Sequence, residues 1–276
     1  MKCALTPPDK SVGGGRRRVD TGAVFSDADA AALYDLLNPW DPDHRPGDRF
    51  SMELVMAADS VLDVGCGTGS MLHVARERGH RGRLVGLDPD GVALARAQRR
   101  ADVEWVEGTA ANAGWEAEFD LATMTGHAFQ CLITDDDVRA SLAAVHAALR
   151  TGGRFVFETR HPQARAWEDW NPSNPSDIVD LVDPAGRALR VWHEVQSLVG
   201  DLVTFTGTTA QPDGTVLRVD RTTLRFLDVT AIDAFLSEAG FEIEAQYGDW
   251  HRAPITGTSR EIITIARRVP PPGGRL

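Results

Sequence analysis

The sequence predicts an α/β fold: a doubly wound, mostly parallel seven-stranded sheet with N-terminal helices ahead of it and an inserted antiparallel sheet. Three observations carry that prediction. From Ser60 onward, short apolar or β-branched runs alternate with amphipathic helical stretches, the pattern of βαβ units. The first of these runs, Val61–Val64, opens into a turn with glycines at 65, 67 and 69. Between residues 159 and 226 the alternation gives way to three strand-like runs joined by short turns.

Taken in order, residues 1–24 read as a flexible tail, Gly-rich and without a periodic apolar pattern. Ser26 with Asp29 three residues on is a capping box, and Leu33, Leu36 and Leu37 give the helix after it an apolar face that ends at Asn38-Pro39. A second helix, from about Asp48 to Ala57, carries Phe50, Leu54 and Ala57. The core strands are Val61–Val64, Leu84–Leu87, Val103–Val106, Phe119–Met124 and Arg154–Glu158. Helices fall near Ser70–Arg78, Gly91–Arg100 and Asp135–Leu149, the last capped by Thr134 with Asp137. Right-handed crossovers between parallel strands then place helices on both faces of the sheet.

Residues 25–158 therefore form lid helices and a core. The runs Leu189–Leu198, Leu202–Thr209 and Val216–Phe226, with turns at Gly200-Asp201 and Pro212-Asp213-Gly214, make an antiparallel insertion over residues 159–226. That insertion is expected to cover the site or to form a contact between two copies of the chain. Residues 227–268 complete the core sheet, and 269–276 read as a tail.

Composition narrows the function. A hydrophobic content of 42% and a charged content of 25% are those of a globular protein with a packed core. No apolar run is long enough to cross a bilayer, and the first residues lack the apolar block of a signal peptide, so cytoplasm is the expected location, with no membrane partner. The net charge of −11 repels polyanions, and the Arg16-Arg17-Arg18 run sits in the Gly-rich tail, so no nucleic-acid partner is expected. Cys3, Cys66 and Cys131 match neither a disulfide framework nor a zinc site, and reduced thiols are expected. No grouped carboxylates point to a metal.

The turn at Gly65-Cys66-Gly67-Thr68-Gly69-Ser70 lets a ligand approach the backbone with no Cβ in its path, and the helix behind it offers unpaired N–H groups. Asp88 ends the next strand, 21 residues past Gly67, where a carboxylate can accept from both hydroxyls of an adenosine ribose. A dinucleotide fingerprint needs a glycine where Ser70 stands. With Asp63 inside the strand and Asp88-Pro89 after the second, the segment instead resembles the class I, Rossmann-like S-adenosylmethionine (SAM)-dependent methyltransferases, in their branch acting on small molecules.

The resemblance runs from about Asp63 to Glu158 and implies SAM as the cofactor and S-adenosylhomocysteine (SAH) as its product. It places Asp63, Gly65, Gly67, Gly69, Asp88, Pro89, Thr109, Ala110 and Met124 around the donor. Thr109 stands where the family often has an Asp that accepts from the adenine amino group, and backbone near Met124 would receive the methionine amino group. The activity implied is methylation of nitrogen, oxygen or an activated carbon of a small molecule, as in secondary metabolism. A nicotinamide-dependent oxidoreductase and a non-catalytic SAM-binding partner subunit are the alternatives, since Asp88 suits any adenosine ribose.

In methyl transfer, holding the acceptor close and collinear can supply about 7–11 kcal/mol of the barrier, so a base is optional. If one exists, it belongs at the carboxyl ends of the central strands. His127 and Glu158 follow strands four and five there, and Tyr34 on the helix ahead of the core is a third catalytic candidate. Trp40, His161, Trp170, Arg190, Trp192 and Trp250 fall in segments that would cover the strand ends and are expected to bind substrate. Their aromatic share favours a flat, aromatic or indole-like acceptor. A homodimer is a further expectation.

Overall fold

The computed structural model describes residues 25–269; the tail assigned to 1–24 and all but the first residue of the one assigned to 269–276 lie outside the described residues. Two helices lead, α1 (Asp27–Leu37) and α2 (Pro46–Ala57). The core then runs β1 (Ser60–Val64), α3 (Ser70–Glu77), β2 (Arg83–Asp88), α4 (Gly91–Ala97), β3 (Glu104–Glu107), β4 (Phe119–Met124), α5 (Asp135–Ala148) and β5 (Leu149–Arg160). After the insertion it is completed by α6 (Val229–Glu238), β10 (Phe241–Tyr247) and β11 (Glu261–Arg268).

The seven strands lie in the order β10-β11-β5-β4-β1-β2-β3, and β11 alone runs antiparallel to its neighbours. Every residue of β1 is buried because β2 and β4 flank it in parallel and helices cover both faces, which is why it reads as a continuous apolar run. Alternation along the strand sorts its side chains. Leu62 and Val64 join α5 and α6 in one layer, while Val61 faces the other with α2 and α3. The chain order reverses between β1 and β4, which opens a crevice at their carboxyl ends.

The insertion is a four-stranded antiparallel sheet in the order β6-β7-β8-β9, made of β6 (Val179–Val182), β7 (Ala188–Val199), β8 (Leu202–Ala210) and β9 (Val216–Arg225). Three of these match the sequence reading. The edge strand β6 is an addition: at four residues it is too short to show an alternating pattern.

Helix α1 bridges the two sheets. The Ser26–Asp29 capping box forms as predicted, with the Asp29 N–H donating to Ser26 Oγ at 3.1 Å. Leu33 is buried against Leu189 and Val191 of β7, with Leu37 beside it, whereas Leu36 is 43% exposed and is not part of that face. A single buried leucine stabilises by ~1.5–3 kcal/mol. The seating of α1 therefore leans on polar clamps as well: Arg218–Asp27 at 2.6 Å, Arg187–Asp29 at 2.5 Å, and Asp35 with Arg96 at 2.6 Å and with the Thr68 hydroxyl.

Cys66 is a buried thiol outside any disulfide.

Candidate active site

The turn after β1 is left-handed at all three glycines, with φ of +72° at Gly65, +57° at Gly67 and +77° at Gly69. L side chains rarely adopt that conformation, and a Cβ at Gly69 would also overlap the Trp105 ring. Asp88 fixes the turn from the neighbouring strand. Its Oδ2 accepts from the Gly67 N–H at 2.6 Å and its Oδ1 from the Asp90 N–H at 2.8 Å, while the Gly65 N–H donates to the Leu87 carbonyl at 2.7 Å.

A cavity of about 900 Å³ begins at Gly67, Asp88 and Pro89 and runs under α1 to the inner face of the inserted sheet. Tyr34 and Arg160 line it, as do Trp170, Val191, His193 and Phe205. The turn without Cβ atoms, the ribose-height carboxylate and the adjoining volume fit SAM, so these residues are the ones that would hold it.

Other residues singled out from the sequence take different places. Asp63 is fully buried in β1, where its Oδ1 accepts from the Thr123 hydroxyl at 3.0 Å. Thr109 is exposed and caps a 3₁₀ turn that buries Ala110, next to Gly108, whose N–H donates to the Asp88 carbonyl at 3.0 Å. Met124 ends β4 in the core.

His127 and Glu158 come together beside the cavity rather than on its wall. Gly126 and His127 are both left-handed, at φ of +68° and +62°, a strained backbone for a histidine. Glu158 Oε1 accepts from the His127 N–H at 3.0 Å and pins that loop. Burial raises the Glu158 carboxyl, and hydrogen bonds from the loop backbone oppose the rise. The His127 ring meets Glu261 instead, Nε2 to Oε2 at 3.0 Å. Burial, with Arg160 nearby, pushes His127 down to about 3, and burial pushes Glu261 up to about 7. Burial, with Asp35, Asp88 and Glu158 nearby, raises the Tyr34 hydroxyl, so it stays protonated.

The aromatic candidates divide. Trp170 lines the cavity and packs on Phe205 with ring centroids 4.7 Å apart. Trp250 packs edge-on to Phe50 at 5.8 Å, and Trp40 joins the same cluster under α2, away from this wall. His161 caps a short turn, its Nδ1 accepting from the Gln163 N–H at 3.1 Å. Arg190 and Trp192 point to the opposite face of β7, where Arg190 pairs with Asp180 at 2.7 Å. The strand period of two turns the odd-numbered Val191 and His193 toward the cavity and these two away from it.

Three cavity or near-cavity residues escaped the sequence reading. Arg160 is half-buried directly across from Glu261 in the β5–β11 register, donates to Gln130 Oε1 at 3.1 Å, and lies over the Trp170 ring at 5.3 Å. Its position two residues after Glu158 on one strand was the available signal. His193 pairs through Nδ1 with Asp177 Oδ1 at 2.8 Å. Asp177, in an irregular stretch before β6, gave no signal at all. Among the described residues, no group of three or more His, Cys, Asp or Glu could hold a metal ion, and no helix is long and apolar enough to cross a membrane.

Comparison with known proteins agrees with this geometry. Residues 61–153 match the family described as "Methyltransferase domain". The chain is similar to a 2-phytyl-1,4-naphtoquinone methyltransferase of Thermosynechococcus vestitus, at 31% identity over 125 residues, covering 43% of this chain and 54% of that protein. It thus spans about half the length of that relative. It is also similar to a cypemycin N-terminal methyltransferase of a Streptomyces species, at 26% identity over 88% of this chain and 97% of that one. Among solved structures, the sugar N-methyltransferase KedS8 from Streptoalloteichus sp. superposes with a TM-score of 0.65 at 19% identity, over 94% of this chain and 99% of that chain, a likeness of fold.

Proposed function

We propose that this chain, whose residues 61–153 match a methyltransferase domain and whose fold is that of class I methyltransferases, methylates an amine nitrogen of a small molecule. When bound, SAM supplies an electrophilic methyl group carried on a sulfonium. The observation that carries the reading is the continuity of one cavity from Gly67 and Asp88 to Trp170 and Phe205. Donor and acceptor can therefore share one space under α1.

The chain's own groups bind and orient. Asp88 and the glycine turn hold the nucleoside end, and the Tyr34 hydroxyl remains a donor in the cavity. Trp170 and Phe205 give a flat, aromatic or ring-bearing acceptor an apolar wall. The same lining carries five aspartates against two arginines, an electrostatic balance that draws an amine more than a carboxylate or phosphate. Two relatives named for nitrogen acceptors, at a peptide N-terminus and on a sugar, support an amine and a role in natural-product chemistry.

The test is to incubate the full chain with methyl-labelled SAM and tryptamine, glucosamine or trialanine. An N-methylated product with an equal amount of SAH is the expected result. Label on oxygen or carbon of the acceptor would move the target atom, and no transfer to any of the three would refute the amine reading and favour a non-catalytic partner subunit.

A further inference from the structure

We propose that His193, oriented by Asp177, is the group that takes the proton from the acceptor amine. The inference rests on the amine reading above, and it assigns the acceptor-side base to the inserted sheet rather than to the core strands.

The geometry begins with the strand period. On β7 the inward residues are Val191 and His193, and the residue paired with His193 on β8 is Gly207, so no side chain on the neighbouring strand competes for the space beside the imidazole. A Cβ at Gly207 would lie 3.7 Å from His193 Cδ2, so the ring lies over that glycine. The ring is flanked by Trp170, at 6.4 Å between centroids, and Phe205, at 5.8 Å. The His193 side chain is itself 36% exposed, so a ligand in the cavity can reach it.

Asp177 grips His193 twice. Its Oδ2 accepts from the His193 backbone N–H at 2.7 Å, and its Oδ1 meets Nδ1 at 2.8 Å. The Asp177 side chain is 8% exposed, so the carboxylate has little freedom to turn away. A carboxylate only accepts, so the contact fixes the proton on Nδ1 and leaves the Nε2 lone pair for a ligand in the cavity. Among the described residues, no hydrogen bond reaches Nε2. Among the described histidines, His193 is the one on this cavity's wall; His127 Nε2 is committed to Glu261, and His161 Nδ1 to a backbone N–H.

The chemistry gives such a group a task. An alkylamine carries an extra proton near neutral pH, and its lone pair is unavailable until that proton leaves. The ammonium proton passes to His193 Nε2, giving an imidazolium that Asp177 stabilises. The freed nitrogen lone pair then forms the C–N bond as the C–S bond breaks onto sulfur, leaving SAH and an N-methylammonium product; the proton on His193 returns to solvent when the products leave. His193 touches the acceptor and is catalytic in this scheme, whereas Asp177 is a positioning residue.

The experiment uses the full chain, labelled with ¹⁵N-histidine and saturated with SAH, with His193→Gln to assign the signal. Long-range ¹H–¹⁵N spectra are expected to show His193 protonated on Nδ1 and not on Nε2. With tryptamine as acceptor, His193→Gln is expected to lower kcat by on the order of 10²-fold while SAM affinity stays within about twofold. Asp177→Asn is expected to lower kcat by about tenfold with KM little changed and to lose the fixed tautomer, and Asp177→Glu to restore part of both. A proton on Nε2 in the wild-type protein, or turnover of His193→Gln within about threefold of wild type, overturns the proposal. Failure of wild type on tryptamine, glucosamine and trialanine alike is instead a failure of the amine reading, and the tautomer still decides whether His193 can accept a proton.

Discussion

The carboxylate of Asp88 accepts a hydrogen bond from the backbone N–H of Gly67 at 2.6 Å, tying the end of β2 to the middle of the glycine turn that follows β1. Its second oxygen holds the Asp90 N–H, so one side chain shapes both the turn and the start of α4. Asp88 is 2% exposed yet contributes to the cavity wall. It braces the turn, and the ribose contact proposed for it would use the same carboxylate.

Replacing Asp88 with Ala removes both roles. A charged hydrogen bond contributes about 1.5–3 kcal/mol, so SAM affinity is expected to fall roughly 10- to 100-fold. Calorimetric titration with SAM and with SAH measures the change. Unaltered affinity would take Asp88 out of the donor site.

Glu158→Gln keeps an oxygen to accept from the His127 N–H but replaces the ionisable carboxyl that pins the His127 loop. The expected result, through a loosened loop beside the cavity, is a fall in kcat/KM of about tenfold or more with SAM binding preserved. His127→Ala, whose ring is occupied by Glu261, is expected to cost less than about tenfold. The reverse ranking, measured by steady-state kinetics, would make the His127 ring the more important partner.

The His127–Glu261 pair predicts a pH signature in stability. Glu261 is raised from 4.5 to about 7, so its contribution is present below about pH 4.5 and lost as pH rises through about 7. His127 is lowered from 6.5 to about 3, so its contribution is present above about pH 6.5 and lost as pH falls through about 3. Between these limits the two slopes oppose, and each single variant exposes the other. His127→Gln is expected to lose on the order of 2–3 kcal/mol from pH 4.5 to 7.5 relative to wild type, and Glu261→Gln to lose stability as pH falls from 7 to 4. Urea unfolding at each pH reads this directly, and parallel profiles for the two variants would contradict it.

Helix α1 roofs the cavity, and Asp35 fastens it to Thr68 and Arg96 beside the glycine turn. Asp35→Ala is expected to raise KM for the acceptor severalfold, since one clamp of the roof is lost. Deleting residues 1–22 is expected to leave turnover within about twofold, while deletion through Trp40 abolishes it. Equal activity in the two truncations would show that α1 does not close the site.

The core was legible because its signals are local. The Ser26–Asp29 and Thr134–Asp137 caps, the alternation of apolar runs with helices, and the coupling of the Gly67 turn to Asp88 each lie within one or two elements. The acceptor side was not, because it is assembled from strands of two sheets. Which face of β7 turns inward depends on how the inserted sheet docks on α1, so the strand alone could not tell the inward His193 from the outward Arg190 and Trp192. Arg160 was visible as a neighbour of Glu158, but its place between Gln130, Trp170 and Glu261 depends on the β5–β11 pairing. The four-residue β6 and the turn that carries Asp177 have too little pattern to be read alone.

The central claim is that one cavity seats donor and acceptor between the glycine turn and the inserted sheet. A crystal structure of the full chain with SAH and tryptamine tests it most directly. The account predicts the ribose hydroxyls on Asp88, the indole against Trp170 and Phe205, and the amine between the SAH sulfur and His193 Nε2. SAH bound away from Asp88, or tryptamine seated outside the cavity with its amine out of reach of the sulfur, would contradict it.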